Sequence, residues 1–209
     1  MRVREHKLEV ESKDGVALIY KEARHYTDRE IQQKYIVLHF TAGVNFDRSV
    51  RTLTHQKVSS HFVISRSERK IAQLVPLNKK AWHAGDSKWE GISGLNSHSI
   101  GIEIDNAGKL DYISKGVHKG AWSTWFNQII RDEAEVYTHT DGTHWHTYPK
   151  LQLEVLVDLL VCLCAEYKIP VERIITHEMI SPGRKVDTGP AFPLEDIRNL
   201  VASRLSSTE

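Results

Sequence analysis

The sequence predicts an α/β fold, a single domain over residues 1–209 with a central mixed β-sheet flanked by helices. Short apolar or alternating segments, which are typical of strands, occur between segments with helical periodicity. Some predicted strands are joined by turns and others by helices, which favours a sheet with mixed strand directions. The 209 residues, 40% of them hydrophobic, are enough for one sizeable core and too few for two domains.

The first part of the chain is predicted to contain strands, turns and one helix. KLEVE and VALIY flank the turn sequence KDG, so residues 1–33 are expected to form an N-terminal hairpin extension. Residues 34–40, KYIVLHF, are a predicted buried strand that ends at TAG, and residues 47–56 are a predicted short helix. HFVIS and KIAQLVP flank the polar residues 66–69, which predicts a second hairpin.

The second part of the chain contains a predicted insertion between a strand and a long helix. SIGIEIDN, residues 99–106, is the predicted strand. Residues 109–149 are rich in aromatic residues and show little periodicity, so we interpret them as an insertion with a short helix near residues 125–130. The LxxLVxLL pattern within residues 150–167 predicts the long helix, which ends at Ile-Pro. ERIITH then predicts a last short strand, and residues 194–205 a final helix.

Composition and charge exclude several classes of function. The net charge is +1 and no run of Lys or Arg forms a basic stripe, so nucleic acid is not an expected partner. No apolar segment has the length of a membrane span, and the charged start MRVREHKLEVESKDG lacks the apolar region of a signal peptide. We therefore expect a cytoplasmic protein. Cys162 and Cys164 lie two residues apart in the predicted helix, where their side chains point to different faces, so both are expected to be reduced.

Two histidines and an aspartate are candidates for a metal site. His39 and His177 each stand at the end of a predicted strand, and Asp187 lies in the loop sequence HEMISPGRKVDTGPAF. The prolines and glycines of that loop fix its backbone course, which suits a binding site as well as an ordinary surface loop. A histidine at a strand end is, by itself, more often a hydrogen-bonded core residue than a ligand. Together, two imidazoles and one carboxylate are a set that zinc accepts, with a fourth position left for water.

Glu103 and Lys185 are candidates for catalytic groups. The polar residues of SIGIEIDN alternate with isoleucines, so Glu103 stands on a face where Ser99 and Gly101 leave space for a ligand. A carboxylate near a metal-bound water is the usual general base, whereas Asp105 fits an ordinary solvent-facing position. Lys185, two residues before the candidate aspartate ligand, would bring a positive charge that could hold an oxyanion. Without the other residues, it would be interpreted as a solvated lysine.

Four segments, taken in chain order, resemble one enzyme family. They are LHFTAG, VSSHFVISRSERKIAQLVP, AWHAGDSKWEGISGLNSHSIGIEIDNAG and HEMISPGRKVDTGPAF. From about residue 34 to residue 200, the chain resembles the zinc-dependent N-acetylmuramoyl-L-alanine amidases of the second amidase class, the group that contains AmpD and AmiD. The resemblance implies the fold that these amidases share with peptidoglycan recognition proteins.

The resemblance also implies a reaction and the residues that carry it. The zinc ligands of the family correspond to His39, His177 and Asp187, and its catalytic partners to Glu103 and Lys185. The implied reaction is zinc-dependent hydrolysis of the amide between N-acetylmuramic acid and L-alanine, in peptidoglycan or its muropeptide fragments. The alternative is a non-catalytic recognition module that binds peptidoglycan. Such modules commonly lack a zinc ligand, and all three are present here.

Three further residues are candidates for substrate binding. Trp82 and His83 lie in the family motif AWHAG, where His83 could instead orient a metal ligand. Trp145 and its aromatic neighbours in the insertion could form a wall of the substrate groove, because sugar rings pack well on aromatic faces, or could belong to a structural flap. His61 is expected to support the fold. Thr188 stands where many members of the family have proline.

Three biological settings fit the implied activity. The protein is expected either to recycle wall fragments in the cytoplasm or to reach the cell wall as a phage endolysin. Export by a route that the sequence does not reveal would be a third setting.

Overall fold

The computed structural model describes residues 1–207. The helices are α1 (Phe46–His55), α2 (Lys150–Tyr167), α3 (His177–Ile180) and α4 (Leu194–Ser206). The strands of the first half are β1 (Arg2–Arg4), β2 (Lys7–Glu9), β3 (Ala17–Tyr20), β4 (Thr27–Glu30), β5 (Tyr35–Phe40), β6 (Phe62–Ile64), β7 (Lys70–Gln73), β8 (Lys79–Lys80), β9 (Lys88–Trp89) and β10 (Ile92–Ser93). The strands of the second half are β11 (Ser99–Ile104), β12 (Lys109–Tyr112), β13 (Trp122–Ser123), β14 (Ile129–Ile130), β15 (Val136–Thr138), β16 (His144–His146) and β17 (Ile174–Thr176). None of the helices in this range combines the length and the apolar character that crossing a membrane requires.

A six-stranded mixed sheet lies at the centre of the domain, in the strand order β17-β5-β11-β6-β7-β3. The strands from β17 to β6 run parallel, β6 and β7 form an antiparallel hairpin, and β3 runs parallel to β7. The predicted α/β class with a central mixed sheet is confirmed. The structure also confirms the strands KYIVLHF and SIGIEIDN, the second hairpin, and the helices predicted over 47–56, 150–167 and 194–205.

Apolar residues cover both faces of the central sheet, so helices or loops pack on each face. On one face, Ile36 and Leu38 of β5 share a core with Leu156 and Leu160 of α2. On the other face, α1 packs against β6 and β7. Because side chains alternate along a strand, His39 lies on the face opposite α2. The side chain of His39, a candidate metal ligand, therefore points away from the core beneath α2 and towards the loops of the other face.

The predicted pairing of KLEVE with VALIY is wrong. β1 pairs with β2, around a turn at Glu5 and His6 that have φ of 48° and 62°. Two consecutive left-handed residues are the geometry of a type I′ hairpin turn. The KDG sequence closes a 3-10 turn instead, and β3 then forms four residue pairs with β7 of the central sheet. The edge of the main sheet thus offers β3 a longer partner than the local hairpin does.

Residues 109–149 fold as a second, antiparallel sheet of five strands in the order β14-β13-β12-β16-β15, which we call the insertion sheet. Leu110, Trp122 and Ile130 form part of a small core of its own. The short helix predicted near residues 125–130 is wrong, because β14 pairs there with β13 around a turn in which Asn127 has φ of 63°. Strands of two to four residues are too short to show an alternating pattern.

The insertion sheet is attached to the loop that follows α3, residues 181–190. Tyr148, just after β16, is buried, and its hydroxyl donates a hydrogen bond of 2.7 Å to the carbonyl oxygen of Thr188. The ring of Trp145 lies so close to Gly189 that a Cβ atom there would come within 2.7 Å of it. Gly189 also has φ of +77°, so glycine is required both for space and for backbone conformation.

We expect Tyr148→Phe to destabilise the protein, because the buried carbonyl of Thr188 would lose its hydrogen-bond donor. The expected loss in the free energy of unfolding is about 1–3 kcal/mol, measured by denaturant titration. The matched control is Tyr26→Phe, since the Tyr26 hydroxyl donates a 2.7 Å hydrogen bond to Glu22 at the surface. That change should cost less than about 0.5 kcal/mol. Equal losses in the free energy of unfolding would show that the hydrogen bond to Thr188 contributes no more to stability than a hydrogen bond at the surface.

Candidate metal centre

Three buried side chains converge at the carboxyl ends of the parallel strands β5 and β17 of the central sheet. His39 lies near the end of β5, His177 is the first residue of α3, directly after β17, and Asp187 comes from the loop 181–190. The two histidine Nδ1 atoms are 2.9 Å apart. The Oδ2 atom of Asp187 is 3.1 Å from Nδ1 of His39 and 2.9 Å from Nδ1 of His177. Two parallel, neighbouring strands place both histidines at the same edge, and the loop brings the carboxylate to them.

These three residues fit a metal ion better than they fit one another. Two ring nitrogens and one carboxylate oxygen all point at a single position, and their candidate ligand atoms lie within 4.8 Å of one another. A hydrogen-bonded cluster would need a proton between His39 and His177, whereas a shared cation suits all three lone pairs at once. Two imidazoles and a carboxylate are a common catalytic zinc set, with a further position open to water. The fit supports a metal site.

The outer nitrogens of both histidines have their own partners, which orient the rings. Nε2–H of His177 donates to the carbonyl oxygen of Ala84 at 3.1 Å. Nε2–H of His39 donates to Nδ1 of His83 at 3.0 Å. The opposite ring nitrogen of His83 is 3.4 Å from the hydroxyl of Ser99, which donates to a backbone carbonyl. Such partners fix which ring nitrogen of a histidine ligand is free to bind a metal.

The loop that supplies these partners is itself held by Asn96. The Oδ1 atom of Asn96 accepts hydrogen bonds from the backbone N–H groups of His83 and Ala84, at 3.0 and 2.7 Å. Gly101 of β11 leaves the space for the His83 ring, because a Cβ atom there would come within 2.5 Å of it. The guanidinium of Arg184 donates to the same Ala84 carbonyl at 2.9 Å. Neither Asn96 nor Arg184 was predicted from the sequence.

The protonation states of the ligands suit metal binding. Burial lowers the pKa of His39 to about 4, so its imidazole is neutral near pH 7. Burial alone would raise the pKa of Asp187, but the neighbouring rings of His177 and His39 outweigh it and hold the pKa below its usual value. The carboxylate is therefore ionised. A neutral imidazole and an ionised carboxylate are the forms that coordinate a cation.

Glu103 stands beside the three ligands on the neighbouring strand. In the parallel pairing of β11 with β5, Glu103 is directly opposite His39. Burial, followed by the charge of Asp187, raises the pKa of Glu103 well above its usual value, and the charge of Lys185 opposes that rise. Glu103 therefore holds a proton more readily than an exposed carboxylate does. This property suits a group that accepts a proton and later returns it.

A cavity of about 570 Å³ opens above these residues. Its floor contains the three candidate ligands together with Glu103 and Lys185. Its walls include Arg48 of α1, Trp82 and Trp125. The structure thus brings the predicted ligands and the predicted catalytic residues to one cavity, although their roles remain predictions.

The other predicted substrate residues lie in different places. Trp82 and His83 line the cavity, and His83 also contacts His39. Trp145 does not line it: its side chain is buried against Gly189, and its indole N–H donates to Thr143. The position of Trp145 favours the interpretation that it belongs to a structural flap rather than to a wall of the substrate groove. Trp125, which sequence reasoning did not select, is the aromatic residue of the insertion that reaches the cavity.

Two other sequence interpretations have clear structural outcomes. His61 supports the fold as predicted, because it accepts from the backbone N–H of Gly101 and donates to the carbonyl of Lys79. The solvent-facing position predicted for Asp105 is wrong. Asp105 is buried, accepts a hydrogen bond of 3.2 Å from the Thr41 hydroxyl, and has a pKa that burial raises to about 6. The alternation of the strand indicates its face, but not what covers that face.

Comparison with known sequences supports the same family. The family model described as N-acetylmuramoyl-L-alanine amidase matches residues 28–190, which include all five candidate ligand and catalytic residues. The N-acetylmuramoyl-L-alanine amidase AmiD of Escherichia coli is 34% identical over 170 residues, covering 78% of this chain and 51% of AmiD. The 1,6-anhydro-N-acetylmuramyl-L-alanine amidase AmpD of Salmonella typhimurium is 31% identical over 150 residues, covering 72% of this chain and 60% of AmpD.

Solved structures show the same fold. A complex of E. coli AmiD with the substrate anhydro-N-acetylmuramic acid-L-Ala-D-gamma-Glu-L-Lys has a TM-score of 0.63 at 30% identity, over 85% of this chain and 60% of that chain. An AmpD structure has a TM-score of 0.61 at 23% identity, over 96% of this chain and 99% of that chain, and shows the likeness of fold alone. The chain spans 51% of the length of AmiD and 60% of that of AmpD. The resemblance seen in the four sequence segments is confirmed, and the chain belongs to the N-acetylmuramoyl-L-alanine amidase family.

Proposed function

We propose that this chain is a zinc-dependent amidase that hydrolyses the bond between N-acetylmuramic acid and L-alanine in peptidoglycan or its muropeptide fragments. The observation that carries the proposal is the meeting of a three-residue metal set, a carboxylate and a lysine in one cavity. The names of AmiD and AmpD support the choice of bond. A zinc ion held by His39, His177 and Asp187 would supply a Lewis acid and lower the pKa of a bound water.

Glu103 acts as general base and then as general acid in the proposed reaction. It accepts a proton from the water that attacks the amide carbonyl, and it returns the proton to the nitrogen of the leaving L-alanine. Its raised pKa supports the second half of this role, because a raised pKa means that the carboxyl holds a proton more readily than an exposed carboxylate does. Its position opposite His39 places it beside the ligands.

Lys185 supplies positive charge to the negatively charged intermediate. It lines the same cavity as Glu103, and its charge is close enough to lower the pKa of that carboxyl. A fixed cation beside a developing oxyanion stabilises it more in a partly buried site than in water. Lys185 also comes from the loop that carries Asp187, so one segment delivers a ligand and the oxyanion charge.

The alternative function, a recognition module that binds peptidoglycan without cleaving it, is less well supported. Such a module needs the cavity but neither a complete ligand set nor a general base. The cavity contains His39, His177, Asp187, Glu103 and Lys185. Mass spectrometry of products from intact sacculi and from soluble anhydro-muropeptides would test the proposal. Release of free stem peptide from either substrate would support it, and unchanged substrates would favour the module.

We expect one zinc ion per chain, measured by elemental analysis of the purified protein. Chelation should abolish hydrolysis, and added zinc should restore it. Asp187→Ala should lower both zinc retention and rate, because one of three ligands is lost. Asp141→Ala is the control, since Asp141 is an exposed carboxylate of the insertion sheet that does not line the cavity. Full activity in the metal-free protein would contradict the proposed role of zinc.

We expect Glu103→Gln to retain the zinc and the fold, because the two side chains have the same shape. Hydrolysis should fall by about 100- to 10,000-fold, the usual contribution of general acid–base catalysis, in assays that follow kcat with saturating muropeptide. Asp105→Asn is a matched control, because it removes a buried carboxylate just past the same strand. A Glu103→Gln rate close to that of the Asp105→Asn protein would remove Glu103 from the mechanism.

A further inference from the structure

One aromatic side chain of the insertion sheet stands exposed at the wall of the cavity. Trp125 is 66% exposed, and no other Trp, Tyr or Phe in residues 1–207 is as exposed. It lines the same cavity as Glu103 and Lys185. Val44 and Val58, each 42% exposed, line the cavity too. The cavity therefore has an apolar rim in addition to its polar floor.

The indole of Trp125 is held in place, unlike most exposed side chains. Its N–H donates a hydrogen bond of 2.7 Å to the carbonyl oxygen of Ala42, in the turn that follows β5. Its ring meets Phe126 edge to face, with centroids 5.5 Å apart, and Phe126 packs on the small core of the insertion sheet. The one polar group of the indole is thus already satisfied by the protein. What it offers a ligand is a fixed, uncharged ring face.

We infer that Trp125 is a platform for the sugar ring of the muramyl substrate, an inference that rests on the proposed function. Such a substrate joins an uncharged pyranose to a peptide with free carboxylates. The C–H groups on one face of a pyranose match the electron-rich face of an indole. The peptide carboxylates instead match the cationic side chain of Arg48, which also lines the cavity. An indole fixed before binding loses little conformational entropy when the sugar packs on it.

The test compares an intact muramyl tripeptide with the same tripeptide lacking the sugar. Binding is measured by calorimetry to zinc-loaded Glu103→Gln protein, which keeps the substrate intact, with and without a second substitution. Trp125→Ala should weaken binding of the muramyl tripeptide by about 3- to 10-fold, the size of one aromatic contact, and leave tripeptide binding unchanged. Trp125→Phe should restore part of the loss. The control Tyr112→Ala, which removes an exposed aromatic side chain of the insertion sheet outside the cavity lining, should change neither affinity.

Equal affinity of the Trp125→Ala and parent proteins for the muramyl tripeptide would overturn the inference. So would an equal loss for both ligands, because the ring would then contact peptide. If Trp125→Ala unfolds in thermal melts, the same two affinities are compared for Trp125→Phe instead. That variant keeps a ring but loses the hydrogen bond to Ala42. Hydrolysis by the wild-type chain is measured alongside. If the wild-type chain cleaves the substrate but substitution of Trp125 does not change affinity, only the platform is contradicted. If the substrate is neither cleaved nor bound, the proposed function is contradicted.

Discussion

The parallel pairing of β5 with its two neighbours is the constraint on which the site depends. In that register His39 stands opposite Glu103, and the residue before His177 stands opposite Leu38. Parallel strands present their carboxyl ends at one edge of the sheet, so groups distant in sequence emerge together there. A shift of β11 by one residue would turn Glu103 towards the face that α2 covers. The isoleucines that alternate with the polar residues of β11 fill the core beneath α2, and their burial opposes such a shift.

A single loop then orients both imidazoles. The side chain of His83 holds the ring of His39, and the carbonyl of the next residue, Ala84, holds that of His177. Because Asn96 binds the backbone N–H groups of both loop residues, the two partners keep a constant separation. The rings are therefore constrained relative to each other as well as to the sheet. A site preorganised in this way needs little rearrangement when a cation binds.

Structural features that depend on neighbouring residues were predicted from local patterns in the sequence. Features that depend on contacts between residues distant along the chain were missed. The long apolar strands, α2 and the candidate ligands were predictable, because buried runs, helical periodicity and strand-end histidines each have a local signature. The insertion sheet was not, since its strands are too short for a pattern. Asn96 looks like an ordinary loop asparagine until its partners, 12 and 13 residues earlier, are known. Asp105 was misplaced because alternation does not reveal that the structure covers that position.

The insertion sheet contacts two of the three segments that carry candidate ligands. Trp125 donates to the carbonyl of Ala42, three residues after His39, and Tyr148 donates to that of Thr188, directly after Asp187. Both acceptors are backbone groups, so the contacts survive changes of side chain at either position. One small sheet therefore sets a wall of the cavity and supports the loop that carries Asp187. Because the same element bears on both, a change in the insertion core, for instance at Trp122, would alter the cavity wall and the ligand loop together.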